Sequence, residues 1–385
     1  MAARLAFPKG KFLWGKGNEN KHNCTGRPGG QDLSGAGGGG IDRSDLNFGI
    51  LYEDGNYVEL GYSRVTPTVS GTYSAAFGPF SGSSTGDLAG DYSAFSLGYK
   101  HQFTDRLALT LILNTPYGAD AHYTAGPYTG LTAQWKSRQI AAVLKYDLTD
   151  NFSAHGGLKY LRSSAQIGIP NALFPGGYTA VGDTDERVGY IVGAAYEKPE
   201  IALRVALTYE SGITHSFRTT ETAPAFGPGN PIASTTDVEM PQSLLLDFQT
   251  GVARNTLLFG TLRWSEWSVW EVRPIGFEAA SAGNNIADFD DDVFTWTLGV
   301  GRKLNETLSV FARVGYEKKN RGISSRFAPT DGYTSAGIGG SWTKDNLKIA
   351  GGIEYISVGD ATDSSGVVFK ANDAVGVGLS VGMQF

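Results

Sequence analysis

The residues of this chain that could carry out chemistry do not fall into a catalytic or metal-binding pattern. The five histidines show no metal-ligand spacing. The aspartates at 288 and 290–292 could offer oxygens to Ca²⁺, but they lack the glycine and terminal glutamate of an EF-hand loop. No serine lies where a strand turns sharply into a helix, as many hydrolase nucleophiles do. We therefore predict no enzyme activity, no metal site and no cofactor.

Composition is typical of a membrane protein that crosses the bilayer without helices. The 385 residues include 53 glycines, and only 18% are charged, against about 25% in soluble domains. No run of about 18 apolar residues occurs, which excludes a helical span. The single cysteine, Cys24, excludes an internal disulfide framework. The net charge of −6 comes without a basic stripe, which excludes nucleic acid as a partner.

The start of the chain does not fit a secreted protein. A signal peptide has an apolar stretch of about 7–15 residues, whereas the basic residues of 1–25 are scattered and residues 26–40 are glycine-rich. Either the start is assigned wrongly or this stretch replaces the native leader. We interpret residues 1–40 as a disordered tail, residues 41–55 as a separate segment and residues 56–385 as one folded unit.

Apolar residues recur at every second position in many segments, which predicts strands. In the last segment Val375, Val377, Leu379, Val381 and Met383 share one face, and small or polar residues share the other. Such segments are longer than the usual five or six residues of soluble strands. Lipid-facing apolar residues that alternate with lumen-facing polar ones are typical of transmembrane barrels.

The polar faces of these strands carry charges in mid-strand, which are stable only against water. Alternation places many cations in the lumen: Lys100, Lys145, Lys159, Arg187, Arg204, Arg263, Arg313 and Lys348. It places five acids there as well: Glu59, Glu210, Asp247, Glu317 and Glu354. A few of the cations could hold a ligand carboxylate by charge-assisted hydrogen bonds, while most should form cross-barrel ion pairs. The head-group candidates are Lys159, Arg204, Arg263 and Arg313.

Short turns alternate with long Gly/Pro/Ser-rich connections along the chain. The turns lie near residues 104, 149, 199, 255, 305 and 345, and the connections lie near 74–89, 124–129, 171–183, 223–234, 273–290, 320–331 and 360–367. Short turns at one rim and long loops at the other are the layout of outer-membrane barrels. The count predicts an all-β antiparallel barrel of about fourteen strands.

Three stretches resemble the FadL-type family of outer-membrane transporters for long-chain fatty acids and hydrocarbons. They are NYVELGYSRVTPTVSG (56–71), LTLILNTPYGAD (109–120) and TTDVEMPQSLLLDFQTGVARNTLLFGTLRWSEWS (235–268). The resemblance implies a fourteen-stranded barrel closed by an N-terminal hatch, with a lateral exit at a kinked third strand. The family's hatch ends in an Asn-Pro-Ala-like segment, where this chain has Asn47-Phe48-Gly49. We therefore expect the hatch to be short, atypical or missing.

Two sets of residues are candidates for the transport path. Asn114, Pro116, Tyr117 and Gly118 interrupt the third strand after a regular leucine alternation, because Pro removes a ladder donor. We favour a lateral opening there, and the alternative is that the strand ends at the outer rim.

Two long loops are apolar for exposed segments, and apolar surface often marks binding. Their candidate capture residues, whose alternative role is loop packing, are Leu173, Phe174, Tyr178, Phe226 and Ile232.

The preferred function is passive import of hydrophobic molecules, such as long-chain fatty acids or related hydrocarbons, across the outer membrane. A general diffusion porin is the first alternative, and it requires an open polar lumen. An outer-membrane enzyme or adhesin is the second. Expected partners are the hydrophobic ligand, outer-membrane lipid with lipopolysaccharide, and the barrel-assembly machinery through Phe385; we expect a monomer.

Substituting Phe385 by Asp tests the assembly role of the last residue. A final aromatic is common to outer-membrane barrels and is recognised by the assembly machinery. The variant should reach the outer membrane in lower amount and keep its transport rate per folded barrel. Quantitative immunoblotting of membrane fractions measures the amount in the outer membrane, and tracer uptake measures the transport rate. Normal membrane levels would remove Phe385 as an assembly signal.

Overall fold

The computed structural model describes residues 40–320 and 322–385 of the chain. Except for Gly40, the expected disordered tail of residues 1–40 lies outside the described residues.

Fourteen antiparallel strands form one closed barrel, as predicted. They are β1 (Tyr57–Thr68), β2 (Tyr92–Gln102), β3 (Leu107–Asn114 and Gly118–His122), β4 (Thr132–Asp147), β5 (Phe152–Ile169), β6 (Tyr178–Lys198), β7 (Leu203–Glu210 and Ile213–Thr222), β8 (Ile232–Met240 and Ser243–Ala253), β9 (Thr256–Ser265), β10 (Val293–Lys303), β11 (Leu308–Glu317), β12 (Tyr333–Lys344), β13 (Leu347–Val358) and β14 (Asp373–Gln384). The barrel closes where β14 pairs with β1, with Gln384 opposite Tyr57.

The other elements of the described chain are short. The α-helix α1 spans Ile275–Ala280, and 3₁₀ helices span Phe48–Tyr52, Ala75–Phe80, Gly126–Tyr128, Pro199–Ile201, Pro224–Gly229 and Trp267–Val269. Two-residue strands lie at Gly71–Thr72, Glu271–Val272, Ala287–Asp288, Ala361–Thr362 and Val368–Phe369. Among the described residues, no helix has both the length and the apolar character needed to cross a membrane.

The exposed face of most strands is apolar, which is the reverse of a soluble protein, and exposed charged side chains such as Lys136, Arg162 and Glu239 lie toward the ends of β4 to β8 that carry the long loops. In β14, Val375, Val377, Leu379, Val381 and Met383 are each 38–50% exposed, and the small residues between them are mostly buried. Contiguous exposed apolar surface of this kind requires lipid around it.

Short turns join the strands at one rim and long loops join them at the other. We call these the turn rim and the loop rim; in an outer-membrane barrel they face the periplasm and the outside. β4, β5 and β6 are the longest uninterrupted strands, with 16, 18 and 21 residues.

Residues 40–56 lie inside the barrel, so a short plug is present. The helix Phe48–Tyr52 packs on β2, where a side chain at Gly98 would not fit: a Cβ there would lie 2.1 Å from Ile50 Cδ1. Nearer the turn rim, Lys348 of β13 lies 3.3 Å from the Glu53 carboxylate.

Electrophoresis tests the closed barrel directly. A closed ladder has no edge from which pairing can fray. Unheated protein in SDS should therefore migrate faster than boiled protein. Identical migration of the two samples would count against a closed barrel.

Candidate functional site

The hydrogen-bond ladder between β2 and β3 is incomplete. The two strands pair only from Leu97 opposite Leu113 to Gln102 opposite Ala108. Beyond this, residues 92–96 of β2 pair with β1, and the outer part of β3 pairs with β4. The edges approach again near the loop rim, where the backbones of residues 88–90 and 120–122 are hydrogen-bonded. We call the unpaired stretch between residues 92–96 and 114–119 the wall gap.

The interruption of β3 produces the wall gap. Pro116 has no N–H to offer a neighbouring strand. Tyr117 turns into the lumen, where its ring lies 5.8 Å from the ring of Trp267. Ser137 of β4 holds the turned backbone: its Oγ accepts from Tyr117 N–H (2.9 Å) and donates to Tyr117 O (2.6 Å). The interruption is therefore a built feature of the wall.

β7 and β8 are interrupted as well, which the sequence analysis did not predict although Gly212 and Pro241 stand at the breaks. The breaks, at residues 211–212 and 241–242, lie side by side. Between β7 and β8 the ladder resumes at once, with Ile213 opposite Met240 on one side of the breaks and Glu210 opposite Ser243 on the other. Between β6 and β7, no strand pairing joins residues 183–189 to residues 212–218.

The N-terminal segment covers the wall gap from inside. The Arg43 N–H donates to Pro116 O (2.7 Å), and the Gly118 N–H donates to Ile41 O (2.8 Å). Residues 41–44 thus act as a partial strand beside the interruption. They form hydrogen bonds with backbone groups of β3 that have no hydrogen-bond partner in β2.

Side chains add to this contact at the start of the interruption. Ser44 Oγ donates to Thr115 O (2.7 Å), and Asn114 Nδ2 donates to Ser44 O (3.1 Å). Asn114 is itself buried, and Gln139 of β4 donates to its Oδ1 at 3.4 Å. Asn114, Pro116, Tyr117 and Gly118, predicted as one site, thus lie in one contact network with the N-terminal segment.

An ion-pair cluster on β9 anchors the same segment. Arg263 Nη1 lies 3.0 Å from Asp42 Oδ2 and 3.3 Å from Asp45 Oδ1. Trp267 Nε1–H donates to the same Asp42 oxygen at 3.1 Å. Two carboxylates of the segment therefore neutralise one lumenal guanidinium.

A cavity of about 620 Å³, counted with the space at its mouth, lies at the wall gap. Its lining is largely apolar and includes Ile41, Val69, Leu88, Ala119, Ala121 and Phe327. At its edge the Arg43 guanidinium lies 3.6 Å from the centre of the Tyr92 ring.

A second cavity, of about 1170 Å³, lies between the plug and the turn-rim half of the lumen. Its lining includes the charged side chains of Asp45, Glu53, Glu59, Asp247 and Lys348. Apolar side chains such as Leu46, Ile112 and Leu245 line it as well, so this cavity has both charged and apolar walls.

Asn47, Phe48 and Gly49, which stand at the position of the family's hatch motif, line this second cavity. Asn47 Oδ1 accepts from the Gly49 N–H at 3.2 Å, and its Nδ2 donates to Glu59 of β1 at 2.9 Å. Phe48 is buried, with its ring 6.2 Å from that of His155. Asn47 thus begins the plug helix and ties it to the barrel wall.

The candidate head-group cations all lie in ion pairs. Lys159 pairs with Glu210 (3.2 Å) and Arg204 with Asp247 (3.3 Å). Arg313 pairs with Glu354, and Arg263 pairs with the plug as described. These four cations lie beside carboxylates of the protein itself.

The loop candidates pack mainly against one another. Phe174, Tyr178 and Phe226 form an aromatic cluster with Phe277 of α1, with ring centres 5.1–6.3 Å apart. Leu173 packs against the larger core nearby, and Ile232 is half-buried at the start of β8.

A buried carboxylate joins these loops. Glu221 of β7 is fully buried and accepts hydrogen bonds from Tyr178 Oη (2.9 Å) and from the N–H groups of Gly276 (2.9 Å) and Phe277 (2.7 Å). It links three loop-rim connections, and neither Glu221 nor Phe277 was singled out from the sequence.

Two Gly-x-Ser-x-Gly stretches occur, at 82–86 and 378–382. The first lies in a loop without a following helix, and the second runs within β14. Neither has the strand-to-helix turn of a hydrolase nucleophile. In the described chain, no three His, Cys, Asp or Glu side chains are grouped as metal ligands.

Sequence reasoning missed three tryptophans of the lumen. Trp135 of β4, Trp267 and Trp270 are buried beside the wall gap. Trp135 stands in the lumen-facing register with Ala133 and Ser137, and this alternation could have identified it. Trp270 lies in a loop that folds inward, where no periodicity applies.

In the same loop, a hydrogen bond from Arg273 holds the pKa of Glu271 below its usual value.

Residues 50–384 match the family of outer membrane protein transport proteins (OMPP1/FadL/TodX). The chain belongs to this family. It is an outer-membrane transport barrel for hydrophobic compounds. No curated protein matched the chain in a sequence search.

Solved structures of FadL-type proteins share the fold. A Pseudomonas aeruginosa FadL homologue superposes with a TM-score of 0.71 at 14% identity, covering 93% of this chain and 99% of that one. The Pseudomonas putida toluene transporter TodX superposes with a TM-score of 0.62 at 13% identity, covering 91% of this chain and 97% of that one. The Ralstonia pickettii toluene transporter TbuX superposes with a TM-score of 0.59 at 14% identity, covering 87% of this chain and 91% of that one.

Removing the two carboxylates that hold Arg263 should release the plug. In Asp42→Asn/Asp45→Asn the Arg263 guanidinium loses both of these counter-charges, so the two partly buried ion pairs that anchor the segment are lost. Conductance of the purified barrel in planar bilayers should therefore rise. The double variant Asp105→Asn/Asp150→Asn, in exposed turns, is the matched control. Equal conductance of the two variants would show that backbone contacts alone hold the plug.

Proposed function

We propose that this FadL-type barrel imports hydrophobic molecules passively and that they leave sideways through the wall gap into the membrane. The observation that carries the proposal is the incomplete ladder between β2 and β3, with an apolar cavity directly at the gap. An apolar molecule in that cavity is separated from lipid by a wall that lacks strand pairing.

Direct access to lipid supports a lateral route over an axial one. The cavity beside the plug has apolar walls, but Asp45, Glu53, Glu59 and Asp247 line it as well. Burial of its surface is what favours binding of an apolar molecule. Release into lipid at the wall gap keeps that surface out of water, whereas an axial path ends in water.

The plug argues against a general diffusion porin. Residues 40–56 occupy the lumen, and aromatic side chains from β3, β4 and the β9–β10 loop fill its outer half. A porin of this size needs a continuous aqueous path.

In the proposed mechanism, residues 41–44 are the movable cover of the exit. Their contacts with Pro116 and Gly118 are three backbone hydrogen bonds, and the Ser44 side chain adds one to Thr115 O. Displacing them exposes the gap without unfolding any barrel strand. Cargo enters from the loop rim, where Leu173, Phe226 and Ile232 are partly exposed and supply apolar surface for capture, while the buried Phe174 and Tyr178 hold these loops together.

The cargo is a long-chain fatty acid or a related hydrocarbon. Similarity to transporters named for toluene adds small aromatic compounds to the candidates. Both classes should be assayed, since both could use one lateral exit.

Restoring regular pairing at the gap should seal the exit. The double variant Pro116→Thr/Gly118→Val supplies the missing N–H and two β-branched side chains that favour strands. Uptake of labelled oleate or toluene should fall at least about tenfold, because the barrier would be a closed wall. Cells should carry matched amounts of folded barrel.

Two controls separate the exit from a general defect. Gly156→Val places the same substitution in a regular part of β5, where a Cβ has ordinary contacts. It should leave uptake unchanged. Uptake of a small sugar should be unaffected by either variant. If the double variant took up both hydrophobic probes at the normal rate, the lateral route would be refuted.

A further inference from the structure

Arg43 is a cation in the lining of the apolar cavity at the wall gap. Its guanidinium carbon lies over the Tyr92 ring, 3.6 Å from the ring centre. Among the residues that the structure describes, no carboxylate lies within 4.0 Å of this guanidinium. The four cations predicted to bind a head group differ from it, because each is paired with a carboxylate: Lys159, Arg204, Arg263 and Arg313. The charge of Arg43 therefore remains available to a ligand.

Stacking on Tyr92 leaves the binding edge of the guanidinium open. The ring covers one face of the planar group, and the five N–H donors point outward in its plane. A carboxylate can accept two of these donors side by side, and such charge-assisted pairs are among the strongest hydrogen bonds in proteins. Arg43 can therefore bind a carboxylate while it stays stacked on the ring.

The hydroxyl of the same tyrosine is a further donor. Tyr92 Oη is buried and has no hydrogen-bond partner in the described part of the chain. Buried polar groups are almost always paired, so this hydroxyl calls for an acceptor from outside the protein. It belongs to the ring on which the guanidinium is stacked, which brings both donors to one end of the cavity.

The interruption of β3 makes room for Arg43. A Cβ at Gly118 would lie 3.0 Å from Arg43 Cγ and 3.1 Å from its Nε, so a larger residue there would press on the arginine side chain. The Arg43 N–H donates to Pro116 O at 2.7 Å and fixes the backbone at this point. The feature that opens the wall thus also places a cation beside the opening.

The cavity next to Arg43 is suited to an alkyl chain. Its volume of about 620 Å³, counted with the space at its mouth, lies in the range of about 300–1,000 Å³ that is typical of ligand pockets. Apolar side chains such as Ile41, Val69 and Phe327 line it. An apolar cavity with one available cation matches a molecule that has an alkyl chain and one anionic end.

Two acids also line the cavity, and neither neutralises Arg43. Asp42 lies 3.0 Å from Arg263 and accepts from the Trp267 N–H at 3.1 Å. Asp120 is exposed on the outer part of β3 and forms no salt bridge with a described residue. An anionic head group would therefore find its counter-charge at Arg43.

We propose that Arg43 is the head-group site of the exit and binds the carboxylate of a fatty acid whose alkyl chain lies in the cavity at the wall gap. Arg43 belongs to the movable cover of residues 41–44, so the head group and the cover move together when the exit opens. A hydrocarbon uses the same cavity and makes no specific contact with Arg43. This assignment rests on the proposed lateral transport and names fatty acids as the class that is bound by its head group.

Decanoate and 1-decanol distinguish a head-group contact from burial of the chain. Both have the same chain length, and only decanoate is charged at pH 8. Calorimetry measures their binding to the purified full-length barrel in detergent. The variant Arg43→Met removes the charge and keeps an unbranched side chain. Decanoate affinity should fall at least about tenfold, because a charge-assisted hydrogen bond is lost, while decanol affinity should stay within about twofold.

Arg64→Met is the matched control. Arg64 of β1 carries the same charge, but it is exposed and lies 2.7 Å from Asp91. This variant should bind both ligands like the wild type. Arg43→Lys keeps a charge without the planar fork, so its decanoate affinity should fall between those of the wild type and Arg43→Met. If Arg43→Met does not assemble, Arg43→Gln carries the same expectation.

Two results would overturn the proposal. Equal losses of decanoate and decanol affinity would show that Arg43 only shapes the cavity. Unchanged decanoate affinity in Arg43→Met would show that the head group does not bind there. Calorimetry reads binding without transport, so either result leaves the lateral route standing. Conversely, normal uptake in Pro116→Thr/Gly118→Val would refute that route and leave the head-group site in place.

Discussion

A backbone N–H or C=O that faces hydrocarbon must find its partner within the protein, because lipid offers none. The barrel meets this constraint by pairing every strand with two neighbours and joining β14 to β1. At the wall gap, β2 does not provide these partners for the outer part of β3. Residues 41–44 and Ser137 supply the missing partners from inside. An opening in the wall is compatible with the membrane only because another part of the chain can close it.

Ion pairs compensate the charges of the lumen. Pairs such as Lys159–Glu210 and Arg204–Asp247 place oppositely charged groups of the protein beside each other in the wall. The cavity beside the plug has both charged and apolar walls, and the cavity at the wall gap is lined mainly with apolar side chains. Apolar surface is therefore available to a hydrophobic solute in both parts of the lumen.

The family's fold persists at about 14% identity, while the groups that line the path belong to this chain. Fold alone therefore does not fix the cargo. Here the specific features are a plug that begins its helix with Asn47-Phe48-Gly49, an Asp42–Arg263 anchor and three lumenal tryptophans. Each is a side-chain arrangement on a backbone that the family shares.

The sequence by itself determined the barrel. Period-two alternation in segments such as 375–383, together with turns of alternating length, defined strand number, pairing order and the lipid-facing side. It also located the break in β3, because Pro116 cannot donate to a ladder. The breaks in β7 and β8 contain Gly212 and Pro241, which are signals of the same kind, but that the two breaks lie side by side is recognisable only once the strand pairing is known.

Tertiary structure decided what meets inside the lumen. Arg263 was recognisable as a lumenal cation, but its partners Asp42 and Asp45 lie more than two hundred residues earlier in the chain. Trp270 reaches Trp135 through an inward loop that has no periodicity. Alternation specifies which side of the wall a residue faces, whereas barrel closure and the path of the plug decide which residues share the space within.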